Sequence, residues 1–126
     1  MENSTMKPRN LAFLLSEAAG ARSRNTATIA SGSGVVAAGT VLGKITASGE
    51  YAPSPDVSVP GLEGAETATA ILGYGVDATN QAVEVAVIDR DAEVKQPMLS
   101  FDASVDDQPK TDTKIAQLNA VGIRAR

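Results

Sequence analysis

The stretch VVAAGTVLGKITASGEYAP, residues 35–53, decides the fold. Within it Val41, Gly43 and Ile45 fall on one side of a period-two pattern, and Leu42, Lys44 and Thr46 on the other. Period two is the repeat of a strand, in which successive side chains point to opposite faces. ASGE, residues 47–50, then turns the chain, and Tyr51 starts a returning strand. Gly39 and Gly43 mark places where the ribbon bends or another backbone comes close. The ribbon has no histidine or cysteine and a single acid, Glu50. Its use must therefore lie in its shape.

Outward from this ribbon the pattern stays β. RNTATIA, residues 24–30, sets Thr26 and Thr28 against Ala27 and Ile29 and reads as a strand ended by the turn residues SGSG. PSPDVSVPGLEGAE, residues 53–66, holds three prolines and two glycines and reads as a loop. TATAILGYGVD, residues 67–77, reads as one strand whose glycines admit a neighbouring backbone. Its GYG is shared with potassium-channel filters, but a filter needs flanking membrane helices. No apolar run here approaches the roughly 20 residues of a bilayer span. In AVEVAVIDRDAEV, residues 82–94, Val83, Val85 and Val87 share one face, with Glu84 and Ala86 on the other. A helix is expected over about 112–121, with Thr111 or Asp112 as its cap. Ile115, Leu118 and Val121 form its apolar stripe, Gly122 stops it, and Ile123 packs back on Leu118. The expected fold is mainly β with a small C-terminal α-helix.

Composition sets limits. Apolar residues are 43% of the 126, yet 21 are Ala against 26 Val, Leu and Ile together. Each buried methylene contributes about 0.8 kcal/mol, so an Ala-rich core stabilises little per residue. Such a core favours support from oligomerisation or from docking on a larger body. Net charge is −4 and unevenly spread. Residues 1–30 carry four bases and two acids, a net of +2; the other 96 carry seven bases and 13 acids, a net of −6. An acidic body with scattered bases argues against a nucleic-acid partner.

The start has Lys7 and Arg9 before the apolar block 11–15, in the manner of a signal peptide. Five apolar residues followed by Ser16 and Glu17 are too few for one, so secretion is not expected. Residues 1–22 read instead as a flexible N-terminal arm ahead of a β-rich domain, 23–126. The block around Phe13 either folds back on the body or docks on a partner; composition does not choose.

The absence of cysteine and histidine removes disulfides, thiol nucleophiles and the usual general base. Asp89 and Asp91 begin a calcium-loop spacing, but Glu93 takes the third place and Val94 stands where glycine is required. GSGVVAAG, residues 32–39, misses the dinucleotide spacing and no helix follows it. Neither a catalytic residue nor a cofactor or metal site is expected.

Five segments carry a resemblance. FLLSEAAGARSRNTATIASG, AAGTVLGKITASGEYAP, TATAILGYGVDA, AVIDRDAEV and KIAQLNAVGIRAR follow one another in that order. Together they resemble the lambda-type bacteriophage head decoration proteins. Members of that family show F-L-x-S-E-A and R-S-R-[DN] before a T-[VI] strand. A-G-T-V-L-G-K, an apolar A-G-I-L segment, an R-[DN]-A-E-V turn and a helix ending L-x-x-x-G-I complete their pattern. The resemblance covers about residues 11–126, with 53–64 matching least and SFDASVDDQPKTD only loosely.

The resemblance implies a β-clip-like domain behind an extended arm, and a homotrimer seated at local threefold sites of an expanded capsid. It implies a structural cement on the outer surface of the virion, made in the host cytoplasm, that holds the head against internal DNA pressure. Its partner would be the major capsid protein, with no membrane, nucleic acid or cofactor involved. Leu11, Phe13, Leu14, Leu15, Arg22, Arg24, Thr26 and Thr28 are the residues this reading assigns to capsid binding, by an arm that adds a strand to the shell.

Two other readings compete with it. AAGTVLGKI resembles the V-x-x-G-x-x-L-G-x-I strand pair of biotinyl- and lipoyl-type carrier barrels, but Lys44 sits mid-strand and no M-K-M or D-K-A turn exists. A polysaccharide- or peptide-binding module would want exposed aromatics, and the chain has two Tyr and two Phe in all.

Overall fold

The computed structural model describes residues 10–17 and 23–126. Five strands close a barrel in the order β2 (Arg24–Ile29), β5 (Tyr51–Pro53), β4 (Val41–Lys44), β6 (Ala68–Leu72) and β8 (Val83–Ile88). All neighbours are antiparallel except β2 and β5, which meet in parallel at Ile29 and Tyr51. β4 and β5 are the ribbon and its return, with Lys44 opposite Tyr51. A ribbon of β3 (Gly34–Val36) and β7 (Val76–Ala78) stands apart from the barrel sheet. Outside it lies a sheet in the order β1 (Leu14–Glu17), β9 (Ala92–Val94), β10 (Ile123–Ala125), beside the one described α-helix, α1 (Gln108–Ala120).

The central barrel strands β4 and β6 are buried on both faces, which the alternation did not anticipate. Val41 and Leu42 are 1% and 0% exposed and only Lys44 of β4 reaches solvent. Leu42, Ala70, Leu72, Ala27, Ile29 and Val87 pack together on the barrel's inner side. Val41, Ile71 and Ile88 point the other way, onto Phe13, Val94, Leu118 and Ile123 of the outer sheet and α1. A strand sandwiched between two layers loses its polar face, so a period-two pattern with apolar residues on both sides is the natural outcome. A third group, Ala30, Ile45, Ala52 and Ala65, closes one flank.

Two glycines of the ribbon are required by close approach. A Cβ on Gly43 would lie 1.9 Å from the Ala65 carbonyl oxygen. Gly39 has φ +90°, and its Cβ would lie 2.8 Å from the Met98 carbonyl oxygen.

Three expectations are corrected. TATAILGYGVD is two strands: β6 ends at Leu72 and β7 begins at Val76, because Gly73 bonds to Ala86 while the chain turns away to pair with β3. The helix starts at Gln108, four residues before the expected start. Asp107 caps it, its carboxylate accepting from the Lys110 N–H at 3.0 Å, and Pro109 fits the first turn, where no donor is needed. Asp112, expected as a cap, accepts from Gln108 Nε2 instead. Finally, Ile123–Ala125 is a strand as well as the hydrophobic follow-on to Gly122, whose φ is +88°.

Candidate functional site

The expected arm is partly integrated into the body. Residues 10–17 are described, and β1 pairs antiparallel with β9. Phe13 is 1% exposed and among the largest side chains of the core. Leu11 packs on the same cluster and its N–H donates to Gly73. Leu14 is half-buried opposite Val94. Burying a phenylalanine contributes about 1.5–3 kcal/mol, which favours docking on the chain's own body over exposure to solvent. Of the eight residues assigned to a capsid contact, Leu11, Phe13 and Leu14 are thus turned toward the chain's own core. Leu15 is the apolar one that faces solvent, at 46% exposure.

Arg24 lies in β2 opposite Ile88 and turns its guanidinium onto Glu17, with Nη2 2.6 Å and Nε 3.0 Å from the carboxylate. Ser23 Oγ donates to the same carboxylate. The Arg24 bond, then the Ser23 bond, hold the Glu17 carboxyl below the ordinary glutamate range, and Glu17 raises Arg24 in return. This clasp fastens the end of β1 to the start of β2. Thr26 is exposed and Thr28 half-buried on the barrel wall, opposite Ala86 and Glu84. Arg22 lies outside the described residues, as do 1–9 and the rest of 18–22.

The outer sheet presents a second feature. Ala92, Val94 and Ile123 point inward and are at most 6% exposed. Alternation then turns Glu93, Lys95, Arg124 and Arg126 outward. Three bases and one acid share this face, with Arg126 Nε 2.7 Å from Glu93 Oε2. The alternating ending I-R-A-R was the available signal, and reading Ile123 only as a helix-stop contact obscured it.

Lys114 was not foreseen either. It stands in α1 at 1% exposure. Its Nζ lies 2.6 Å from the Pro55 carbonyl, 2.6 Å from the Glu66 carbonyl and 3.0 Å from Ser54 Oγ. Ser54 donates its own proton to the Ala65 carbonyl at 2.7 Å, so it accepts from Lys114. Three acceptors require the three protons of an ammonium. Burial pushes the ammonium down from the ordinary lysine value, and Asp56, Glu66 and Asp102 oppose that. The Ser–Lys pair is thus a brace: both side chains are engaged in tying the 53–66 loop to α1.

The acids of the 101–107 run have local partners. Asp102 accepts from the Ser104 N–H and Oγ, and Asp106 pairs with Lys110 at 2.9 Å. Asp91 turns the chain between β8 and β9 at φ 48°. Lys44, expected mid-strand, is instead the last residue of β4, because the chain leaves the ladder at Ile45 to turn.

The family model that matches the chain is described as bacteriophage lambda head decoration protein D, over residues 3–123. Among curated proteins, none matches.

Proposed function

The chain belongs to the bacteriophage lambda head decoration protein D family, and on that premise we propose that it is a trimeric cement of the expanded head. The family's part in the virion is structural, on the capsid. Three subunits sit at a local threefold site on the outer surface, each carrying its N-terminal segment, 1–22, onto the major capsid protein. The match over residues 3–123 carries this reading.

The N-terminal residues add support. Leu15 stands exposed in an edge strand whose root is clasped by Glu17 and Arg24. Grip by this segment falls to Leu15 and the residues ahead of Asn10, with Thr26 and Thr28 of β2 beside it, while Leu11, Phe13 and Leu14 hold the segment to its own body. Each segment alone binds weakly, because ordering a residue costs about 1–2 kcal/mol. Three on one trimer bind jointly, since the second and third contacts are intramolecular.

The test is to mix the protein with expanded, undecorated heads and sediment them. Co-sedimentation at a subunit number divisible by three per site, with heads that then survive chelation or heat better, is the expected result. A protein that stays in the supernatant as a monomer overturns the reading.

A further inference from the structure

Among the described residues, the outer sheet ends in a strand whose far edge is unpaired. The Ala92 N–H donates to Gly122, the Arg126 N–H to Val94 and the Gln96 N–H to Arg126. In this parallel pairing the even-numbered residues of the ending bond to β9. The N–H and C=O groups of Ile123 and Ala125 therefore point away from β9, and among the described residues they have no backbone partner. Beyond that edge lies a groove of about 510 Å³, bounded by Arg124 and Ala125 of the strand and by Ile115, Ala116 and Asn119 of α1. Asp112, at the helical rim, already accepts from Gln108. An open strand edge facing a helix across a groove is the arrangement that takes an extended peptide as an added strand.

The charge around it selects the peptide. Residues 31–126 hold seven bases and 13 acids. Three of the seven, Lys95, Arg124 and Arg126, lie on the outward face beside this edge. Glu93 engages Arg126 and, beyond Arg124, Glu17 engages Arg24 beside Asp91, which leaves Lys95 and Arg124 as the bases of this face with no ion pair among the described residues. We infer that the open edge of β10, across the groove from α1, takes an extended carboxylate-bearing segment of the shell protein as an added strand. This rests on the shell-binding reading above and adds to it a contact at the other end of the chain. The strand edge offers main-chain donors and acceptors, which recognise a polypeptide. Three bases with an acid between them would neutralise too few phosphates to hold nucleic acid.

Residue 125 offers a test that spares the body, because its N–H takes no part in the ladder with β9. Amide exchange of the full chain, free and seated on expanded shells, should show Arg124 and Arg126 slow in both states. The Ala125 amide should slow at least about tenfold on the shell. Ala125→Pro removes that donor alone and should weaken shell binding about tenfold or more, with Tm unchanged. If Ala125→Pro fails to fold, Arg124→Glu should produce the same loss by charge reversal. Ala125 exchange unchanged on the shell, or either variant folding and binding like wild type, overturns the site. So does slowing of Ala125 by concentrated protein without shells, which would mean a second copy, or by duplex DNA. Wild-type protein that ignores the shells removes the shell reading itself and this site with it.

Discussion

The outer layer and the barrel interior are cores of different kinds. Outside the barrel, Phe13, Ile71, Ile88, Leu99, Leu118 and Ile123 meet between the wall, α1 and the outer sheet. Inside, three of the eight buried residues are Ala, and the flank group adds three Ala of four. Small side chains stand where backbones crowd, as at Gly43 against Ala65. The large ones gather beneath a strand, β1, that comes from the N-terminal end of the chain. The high alanine content therefore does not mean a uniformly weak core. Enlargement should damage the barrel and truncation the outer layer.

The strongest way to break this contrast is Gly43→Ala. A methyl placed 1.9 Å from a backbone oxygen has nowhere to go. We expect little soluble, folded protein by circular dichroism, a loss exceeding about 4 kcal/mol. A variant with a wild-type Tm would show that the barrel is not closely packed there.

Phe13→Ala tests the outer layer, with an expected cost of about 3–5 kcal/mol in urea unfolding. Ala70→Gly, in the barrel interior, should cost only about 1 kcal/mol. Equal losses would erase the distinction. The same logic separates two deletions: removing 1–9 should leave the urea midpoint unchanged, whereas removing 1–17 should lower it more than Phe13→Ala does.

Lys114→Ala lies between the two regions. It strands the Pro55 and Glu66 carbonyls, each orphaned acceptor costing about 1–3 kcal/mol, and should loosen the 53–66 loop to proteolysis. A loop as resistant as wild type would remove the brace.

The smallest effect belongs to the Glu17–Arg24 clasp, which is partly exposed. Glu17→Gln should cost under about 1 kcal/mol at neutral pH. The sign follows from the lowered Glu17 value. Its contribution is complete above the ordinary glutamate range and is lost as the pH falls through the lower, folded value. Wild type and Glu17→Gln should therefore converge in acid; a gap that widens there would refute the clasp.

Much of the fold was legible because local chemistry and tertiary structure agree. The turn at 47–50, the return at Tyr51, the valine face of β8 and Gly122 as helix stop each follow from neighbours within a few residues. The helix start was missed because Asp107 and Pro109 sit in a run of acids and turn residues that reads equally well as loop. Of the candidate site, the alternation of Leu15 and the basic ending could be read from the chain. The inward turn of Phe13 could not, since an exposed anchor and a core plug have the same composition.

Residue order by itself determined the β4–β5 ribbon and its turn, the strands at 24–29 and 83–88, the existence of the C-terminal helix and the resemblance that the family match bears out. Tertiary structure alone decided which face of each strand is buried, that Phe13 completes its own subunit, and that a lysine braces a loop nearly 60 residues away in sequence. The physical reason is range. Backbone preference and side-chain period act over a few residues, whereas burial and hydrogen-bond partnership depend on what the rest of the chain brings alongside.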